Sequence, residues 1–575
     1  MDLSAPTQEE IVAGLPVHLR PFVRIQDYAT QYSHRDQAAW RFLMTALVRS
    51  LESTAHPVYL QGLERTGIAL DHIPSIDEMN ACLARLGWRA VVVDGFIPPA
   101  IFMEFQALRV LVIALEMRSV EHLLYTPAPD ILHESAGHAP FLVDVDYAEF
   151  LQRFGEIGMA AIADEHDEAL YEAIRRLSIL KESPTTEAAE LDAAEAKLQE
   201  LSRKDHPPSE AALLTRLHWW TVEYGLVGTT EDYRLFGAGL LSSLGESQSC
   251  LDDRVVKKLP LTVNAVATPY DITAQQPQLF VTRSCKHMGQ VLEEFAASMA
   301  FRRGGLEGLD RAIDAGTICT AQYASGVQVS GLFEERLCDA VGNVVYLRTR
   351  GPTQLAFNGR ELYGHGIDAH AEGFGAPVGM LKDFSRCLSH YTVDELRAHD
   401  IAIGKAVRLE FLSGITVEGH LEEILRQDHR NLVLSFKDCQ VTTLEGRVLF
   451  QPEWGRYDMA VGSAITSVSG GVADRERYQL YKAQPATPSV DCEIDAGMMD
   501  AYARFADSDR KVTVNEAEAV LQRYPREWLL RVELLRYHGD ELPSDLVDRT
   551  RQALVQEHPE PEYRRALSLV LPEYF

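Results

Sequence analysis

Asp130-Ile131-Leu132-His133-Glu134-Ser135-Ala136-Gly137-His138 is the stretch from which the rest of the chain is best read. Two histidines and a carboxylate fall within six residues. The spacing excludes a zinc-protease helix, which needs its second histidine at i+4 on one face. Here Gly137 holds that position and His138 follows at i+5. On a regular helix five residues leave the second side chain about 140° further round. Both imidazoles can then share one metal only if the helix ends between them. Gly137, with Pro140 close behind, is the predicted break.

A third ligand has to come from elsewhere, and the candidate is Glu223 in His218-Trp219-Trp220-Thr221-Val222-Glu223-Tyr224-Gly225-Leu226. A lone acid in an apolar, aromatic run is costly to bury, so it is paired with an arginine or bound to a metal. Two histidines and one carboxylate on one face leave three octahedral positions open. That arrangement suits a non-haem ferrous ion that must accept oxygen and a co-substrate.

Outward from these segments the pattern is helical from Asp36 to about Ser202. Trp40, Leu43, Met44, Leu47 and Leu51 recur at three- and four-residue spacing on one helix face. Pro98-Pro99 opens another helix, with Phe102, Phe105, Leu108 and Leu111 apolar. Residues 165–204 form two amphipathic stripes, Leu170/Ile174/Leu177 and Leu191/Ala194/Leu198/Leu201, divided by Ser183-Pro184-Thr185-Thr186. They predict a helical hairpin projecting from the core, either a solvated arm or a dimer contact. From about Gly316 the texture turns to short β-branched runs at Val327–Leu332, Gly342–Arg348, Ala406–Phe411 and Leu432–Phe436. After Pro485 it is helical again, with Ala517/Val520/Leu521/Tyr524 and Leu529/Val532/Leu535/Tyr537 on successive helices. The domain reading is therefore 1–315 with the hairpin at 165–204, a β-rich domain over 316–480 and a helical domain over 490–575.

The bulk numbers bound the partners. A chain of 575 residues is too long for one core, and its 24% charged residues sum to a net −29. So acidic a surface repels phosphates, which argues against nucleic acid and anionic membranes. No basic, apolar leader opens the sequence, and the apolar run near Val110–Leu115 is far too short to cross a bilayer. Eight scattered cysteines without a CxxC pair read as reduced thiols in a cytoplasm.

Several blocks, in order, resemble the pterin-dependent aromatic amino acid hydroxylases. Tyr125-Thr126-Pro127-Ala128-Pro129-Asp130, His133-Glu134 and Gly137-His138-Ala139-Pro140 resemble that family's YTPEPDxxHExxGHxP signature. Thr221-Val222-Glu223-Tyr224-Gly225-Leu226 resembles TVEFGL, and Gly237-Ala238-Gly239-Leu240-Leu241-Ser242-Ser243 with Gly245-Glu246 resembles GAGLLSSFGE. The likeness spans roughly residues 20–300. It implies a mainly α-helical catalytic domain of the aromatic amino acid hydroxylase type, followed here by the β-rich domain and the small α-helical tail. It also implies Fe(2+) held by His133, His138 and Glu223, a tetrahydropterin such as tetrahydrobiopterin, and O2 as co-substrate.

Taken residue by residue, the resemblance puts Phe102 where a ring stacks on the pterin. Gly95 and Ile97 fall in the lining loop, and Glu134 at a hydrogen-bonding position. Arg118 matches the arginine that grips the substrate carboxylate, a task suited to a bidentate guanidinium. Asp130 would orient it, Thr126 would touch the amino acid backbone, and Trp219 would pack on the substrate ring. Ser242 is placed to orient His133. The chain departs from the animal pattern at His218 (usually tyrosine), Val112 (histidine) and Ala128 (glutamate). Trp219 agrees with phenylalanine and tyrosine enzymes, and the apolar Ile272 in Tyr270-Asp271-Ile272-Thr273 argues against a phenolic substrate. The reading favours phenylalanine over tryptophan, with tyrosine last.

Two other classes use the same residues. One is a zinc hydrolase with Glu134 as base, and the other is a non-catalytic binder on a decayed scaffold. A homo-oligomer through the hairpin or the C-terminal region is a further expectation. Finally, Gly364-His365-Gly366-Ile367-Asp368-Ala369-His370-Ala371-Glu372 is a second histidine/carboxylate cluster. It reads either as a metal site or as a glycine-rich loop with exposed polar side chains.

Overall fold

Helix α1 (His34–Leu51) starts on a capping box in which Ser33 and Asp36 satisfy each other's backbone N–H groups. The computed structural model describes residues 6–94, 97–120, 123–124, 130–182, 186–203, 206–272, 274–482 and 495–575. The periodicity predicts one buried face for α1, yet every residue from Ala38 to Leu47 is buried. The C-terminal helices cover its other side, as described below.

The helices that follow are α2 (Pro99–Ala107), α3 (Val145–Gly158), the hairpin helices α4 (Glu165–Glu182) and α5 (Ala188–Arg203), and α6 (Glu210–His218). An ion pair between Lys181 and Glu195 (3.1 Å) ties α4 to α5. Two small sheets interrupt the helical pattern. Strands β1 (Arg89–Val93) and β2 (Val110–Ala114) pair in parallel. Strands β3 (Leu226–Gly228), β4 (Tyr233–Leu235), β5 (Lys257–Pro260) and β6 (Gln278–Thr282) form a four-stranded sheet in the order β4-β3-β6-β5. Leu111, expected on the helix opened by Pro98-Pro99, sits on β2 instead, because α2 ends at Ala107. A short continuous apolar run such as VLVIA carries no period that separates a buried strand from a helix.

The β-rich region begins after α7 (Gly305–Ala315). One sheet joins β7 (Ile318–Tyr323), β8 (Val327–Cys338), β9 (Val344–Phe357), β10 (Arg360–Glu361), β11 (Gly373–Pro377) and β17 (Ile465–Gly470). The other joins β12 (Ala406–Glu410), β13 (Thr416–Gln427), β14 (Arg430–Thr442), β15 (Val448–Phe450) and β16 (Tyr457–Ala460). Their facing residues, including Val329, Leu355, Val417, Leu432 and Phe436, make a core of their own.

The tail consists of α8 (Ala496–Ala506), α9 (Val514–Arg523), α10 (Trp528–His538), α11 (Ser544–Glu557) and α12 (Pro561–Val570). Its apolar residues share one continuous core with α1 and the N-terminal helices. Trp528 meets Phe42 edge-on at 5.1 Å, and a buried ion pair joins Arg41 to Glu533. No helix among the described residues is long and apolar enough to cross a membrane.

Candidate active site

Two widened turns build the site. Leu132–His138 and Trp219–Glu223 are π-helical, bonded i→i+5 rather than i→i+4. In the second segment the bond is explicit, with Tyr224 N–H donating to the Trp219 carbonyl at 2.8 Å. The wider turn corrects the expectation of a helix break at Gly137. An i→i+5 repeat stacks residue i+5 above residue i, so His133 and His138 reach one face without any break. Gly137 has a different task. A Cβ there would stand 3.0 Å from the Ala238 Cβ, so its absence lets the Ala238–Leu241 turn lie against the histidines.

The structure brings His133, His138 and Glu223 together, with their ligand atoms within 4.8 Å of one another. The two Nε2 atoms are 3.2 Å apart. Glu223 Oε2 lies 3.2 Å from His133 Nε2, and Oε1 lies 3.4 Å from His138 Nε2. His133 Nδ1–H donates to Ser242 Oγ (2.9 Å), whose own proton goes to the Ala238 carbonyl (2.8 Å). That chain keeps Nδ1 occupied, so Nε2 is the nitrogen that faces the carboxylate and is left for a metal.

Charge in the site is arranged around that carboxylate. Burial works against ionising Glu223, but the fields of His138 and His133 outweigh it and hold its carboxyl well below the usual range. Burial likewise opposes a proton on His133, yet its bond to Glu223 raises the imidazole to about 9. Burial lowers His138 to about 3. Between them Glu223 and the imidazoles favour one positive charge at their centre, and a divalent cation supplies it. Glu134, 3.9 Å from His138, is pushed up to about 8, chiefly by burial.

Arg118 and Asp130 form a bidentate pair, Nε to Oδ2 at 2.7 Å and Nη2 to Oδ1 at 2.9 Å. Asp130 also accepts the backbone N–H of His133 at 3.0 Å, and Arg118 Nη1 donates to the Ser242 carbonyl at 3.2 Å. One buried ion pair thus braces both His133 and the Ser242 turn. Phe102 is half-buried in the cluster that holds Ile97 and Val112, its ring centre 6.1 Å from that of His218 in an edge-on arrangement. Gly95 and Thr126 lie outside the described residues, as do Tyr125 and Ala128.

Trp219 stacks on Tyr270 (4.3 Å, 11°) and on Tyr224 (4.6 Å, 24°), and Tyr224 Oη is 2.9 Å from Glu246. Its indole is therefore already engaged on its faces by residues of its own chain. Neither tyrosine was singled out from the sequence as a partner of Trp219. Tyr224 carried no signal beyond lying in the same aromatic run. Ile272 is 36% exposed. It lies with Tyr270, Pro98 and Pro99 on the wall of a cavity of about 1490 Å³ to which the hairpin also contributes Leu170 and Leu198. The metal-ligand triad is not on that wall.

Two imidazoles and a carboxylate converging on one point, with the outer nitrogen of His133 held by a hydroxyl, define a candidate mononuclear non-haem metal centre. The model of the biopterin-dependent aromatic amino acid hydroxylase family matches residues 23–178 and 195–303, the gap falling in the hairpin. Over 264 residues the chain is 30% identical to the phenylalanine-4-hydroxylase of Pseudomonas aeruginosa, covering 46% of this chain and 84% of that one. Over 302 residues it is 29% identical to the phenylalanine-4-hydroxylase of Mesorhizobium japonicum, covering 52% and 91%. A crystal structure of Chromobacterium violaceum phenylalanine hydroxylase with iron(III) and 7,8-dihydrobiopterin aligns at 26% identity and a TM-score of 0.39, covering 51% and 91%. The chain belongs to the biopterin-dependent aromatic amino acid hydroxylases. Residues 304–575 lie outside the matched part.

Proposed function

We propose that this chain hydroxylates the ring of L-phenylalanine to L-tyrosine, using O2, a ferrous ion and a tetrahydropterin. The relatives' shared activity supports the substrate, and the family's description supports the pterin. The observation that carries the reading is the convergence of His133, His138 and Glu223 with Ser242 occupying Nδ1 of His133. When bound, iron and the reduced pterin supply the activation of O2 that no side chain can perform.

The chain's own residues bind, orient and exclude water. His133, His138 and Glu223 hold the ion on one face and leave its other positions to ligands. Phe102 and Ile97, with Gly95, form the pterin slot. Glu134, beside the histidines and 3.9 Å from His138, offers its carboxyl for hydrogen bonding there. Arg118 takes the substrate carboxylate through the Nη2 hydrogen that Asp130 does not use, Nη1 being held by the Ser242 carbonyl, and Thr126 meets the amino acid backbone. Trp219 becomes a platform for the substrate ring once Tyr270 swings off it, and Ile272 offers a phenolic hydroxyl no partner. Residues 1–315 are the catalytic unit in this reading, followed by the β-rich (316–480) and helical (490–575) units. Free cysteines suit a cytoplasmic location. Self-association through the hairpin or the C-terminal region is open to sedimentation analysis.

Product analysis tests the reading. With ferrous ion, tetrahydropterin and O2, an equimolar mixture of Phe, Tyr and Trp should yield chiefly tyrosine. Hydroxytryptophan as the main product would move the substrate to tryptophan, and no hydroxylated product at all would reject the enzyme.

A further inference from the structure

In the Gly364–Glu372 segment noted in the sequence the acids Asp368 and Glu372 are exposed, as a glycine-rich loop predicts, but the two histidines are not. His365 is 2% and His370 8% exposed, and both belong to the loop that joins β10 to β11. Backbone bonds pin that loop to β9: Leu355 N–H donates to the His365 carbonyl (2.9 Å) and Thr353 N–H to the His370 carbonyl (3.1 Å). The acids within the segment, Asp368 and Glu372, do not join the histidines. The carboxylate that does is Asp458 on β16, in the other sheet.

The geometry points to a second divalent transition-metal site, of the zinc class, formed by His365 Nδ1, His370 Nε2 and Asp458 Oδ2. The two nitrogens are 3.2 Å apart, and Oδ2 lies 3.9 Å from one and 4.0 Å from the other. The two longer separations exceed hydrogen-bond range, so the carboxylate is not simply bonded to the imidazoles. All three do fit around one ion: a common point lies about 2.2 Å from each atom, close to the length of a Zn–N or Zn–O bond.

The surroundings are those of a supported ligand set. The second oxygen of Asp458 accepts from Arg456 Nε at 3.0 Å, and Arg456 Nη2 is held by Glu423 at 2.8 Å. This outer shell fixes which oxygen faces the imidazoles. The rings of His365 and His370 are nearly parallel (12°), and Phe374 packs edge-on to His370 at 5.4 Å. Ser435 stands directly opposite Asp458 in the β14–β16 ladder, hence on the same face. Its buried Oγ has no hydrogen-bond partner among the described residues. An ion with a bound water beside it would give that hydroxyl a partner. Because two ligands ride on one sheet and the third on the other, the ion would staple the β-rich unit across its two sheets.

Zinc binding by the tag-free full-length chain tests this, read as bound metal after dialysis against Zn2+ and as the visible spectrum after loading with Co2+. His138→Ala disables the first centre. That variant should still hold close to one zinc per chain and give a cobalt band. Adding Asp458→Asn or His370→Ala should lower zinc to under about a tenth of that and remove the band. A ligand should cost more than the 10–100-fold typical of outer-shell changes. Asp458→Asn keeps an oxygen for Arg456, so an unchanged melting point without metal separates lost binding from lost folding. A His138→Ala chain that binds no zinc would overturn the site. So would equal binding by His138→Ala with and without the second substitution.

Discussion

Ser242 Oγ accepts the Nδ1 proton of His133 at 2.9 Å while passing its own to the Ala238 carbonyl at 2.8 Å. A hydroxyl so committed leaves Nε2 as the nitrogen that His133 turns to a metal. Ser242→Ala removes the restraint without touching a ligand. Iron affinity should fall 10–100-fold, measured by competition with a ferrous chelator, while the fold is kept. Unchanged affinity would make Ser242 an ordinary turn residue.

His138→Ala leaves two protein ligands for a labile ion, and Glu223→Gln replaces its only anionic ligand by a neutral amide. Both variants should lose ferrous iron from the first centre and with it all tyrosine formation. Iron retained at that centre, read as the ferrous nitrosyl signal, would reject the triad.

Arg118→Ala should raise the KM for phenylalanine strongly and, because Asp130 and the Ser242 turn lose their brace, also weaken iron binding; an unchanged KM at saturating iron would remove Arg118 from the substrate site. Arg118→Lys should not restore the KM, since an ammonium cannot hold Asp130 and a substrate carboxylate in one plane. Asp130→Asn leaves the Arg118 charge buried without its partner. The expected loss is about 3–5 kcal/mol, seen as a lower denaturation midpoint.

Much of the metal centre was legible because its chemistry is local. His133, His138 and the lone acid Glu223 stand out by residue type, and the blocks around them occur in order. The turn that unites the histidines was not legible: composition does not distinguish a π-type widening from a helix end at Gly137. The strands β1 and β2 were hidden by their uniform apolarity. Strand β13, with Leu421, Ile424 and Leu425 spaced as on a helix, hid its period behind β-bulges. Asp458 carried no sequence signal at all as a partner for His365 and His370, since only the meeting of two sheets brings it there.

The tail is part of the catalytic unit's core in energetic terms. Glu533 is 1% exposed and its only cationic partner among the described residues is Arg41 of α1. Glu533→Ala should cost about 3–5 kcal/mol, because Arg41 would be left buried and unpaired. Removal of residues 496–575 should leave an aggregation-prone protein, as α1 would bare its second apolar face. A truncated chain with the parent melting point would contradict this.

Glu104 on α2 gives the acid limb of stability. Burial raises its carboxyl, but hydrogen bonds to His18 (2.9 Å) and Arg475 (2.9 Å) outweigh burial and hold it below the ordinary value. A depressed folded value stabilises the fold fully above the unfolded carboxylate range, near pH ~4.3, and that gain is lost as pH falls through the lower folded value. Glu104→Gln should therefore lower stability at pH 7 and flatten its decline below pH ~4, followed by urea midpoints across pH.

The most direct measurement is the fate of 18O2 in phenylalanine turnover. Tyrosine should carry one 18O atom, only when ferrous ion and tetrahydropterin are both present, and not at all with His138→Ala. Tyrosine bearing oxygen from water, or formed without the pterin, would contradict the account.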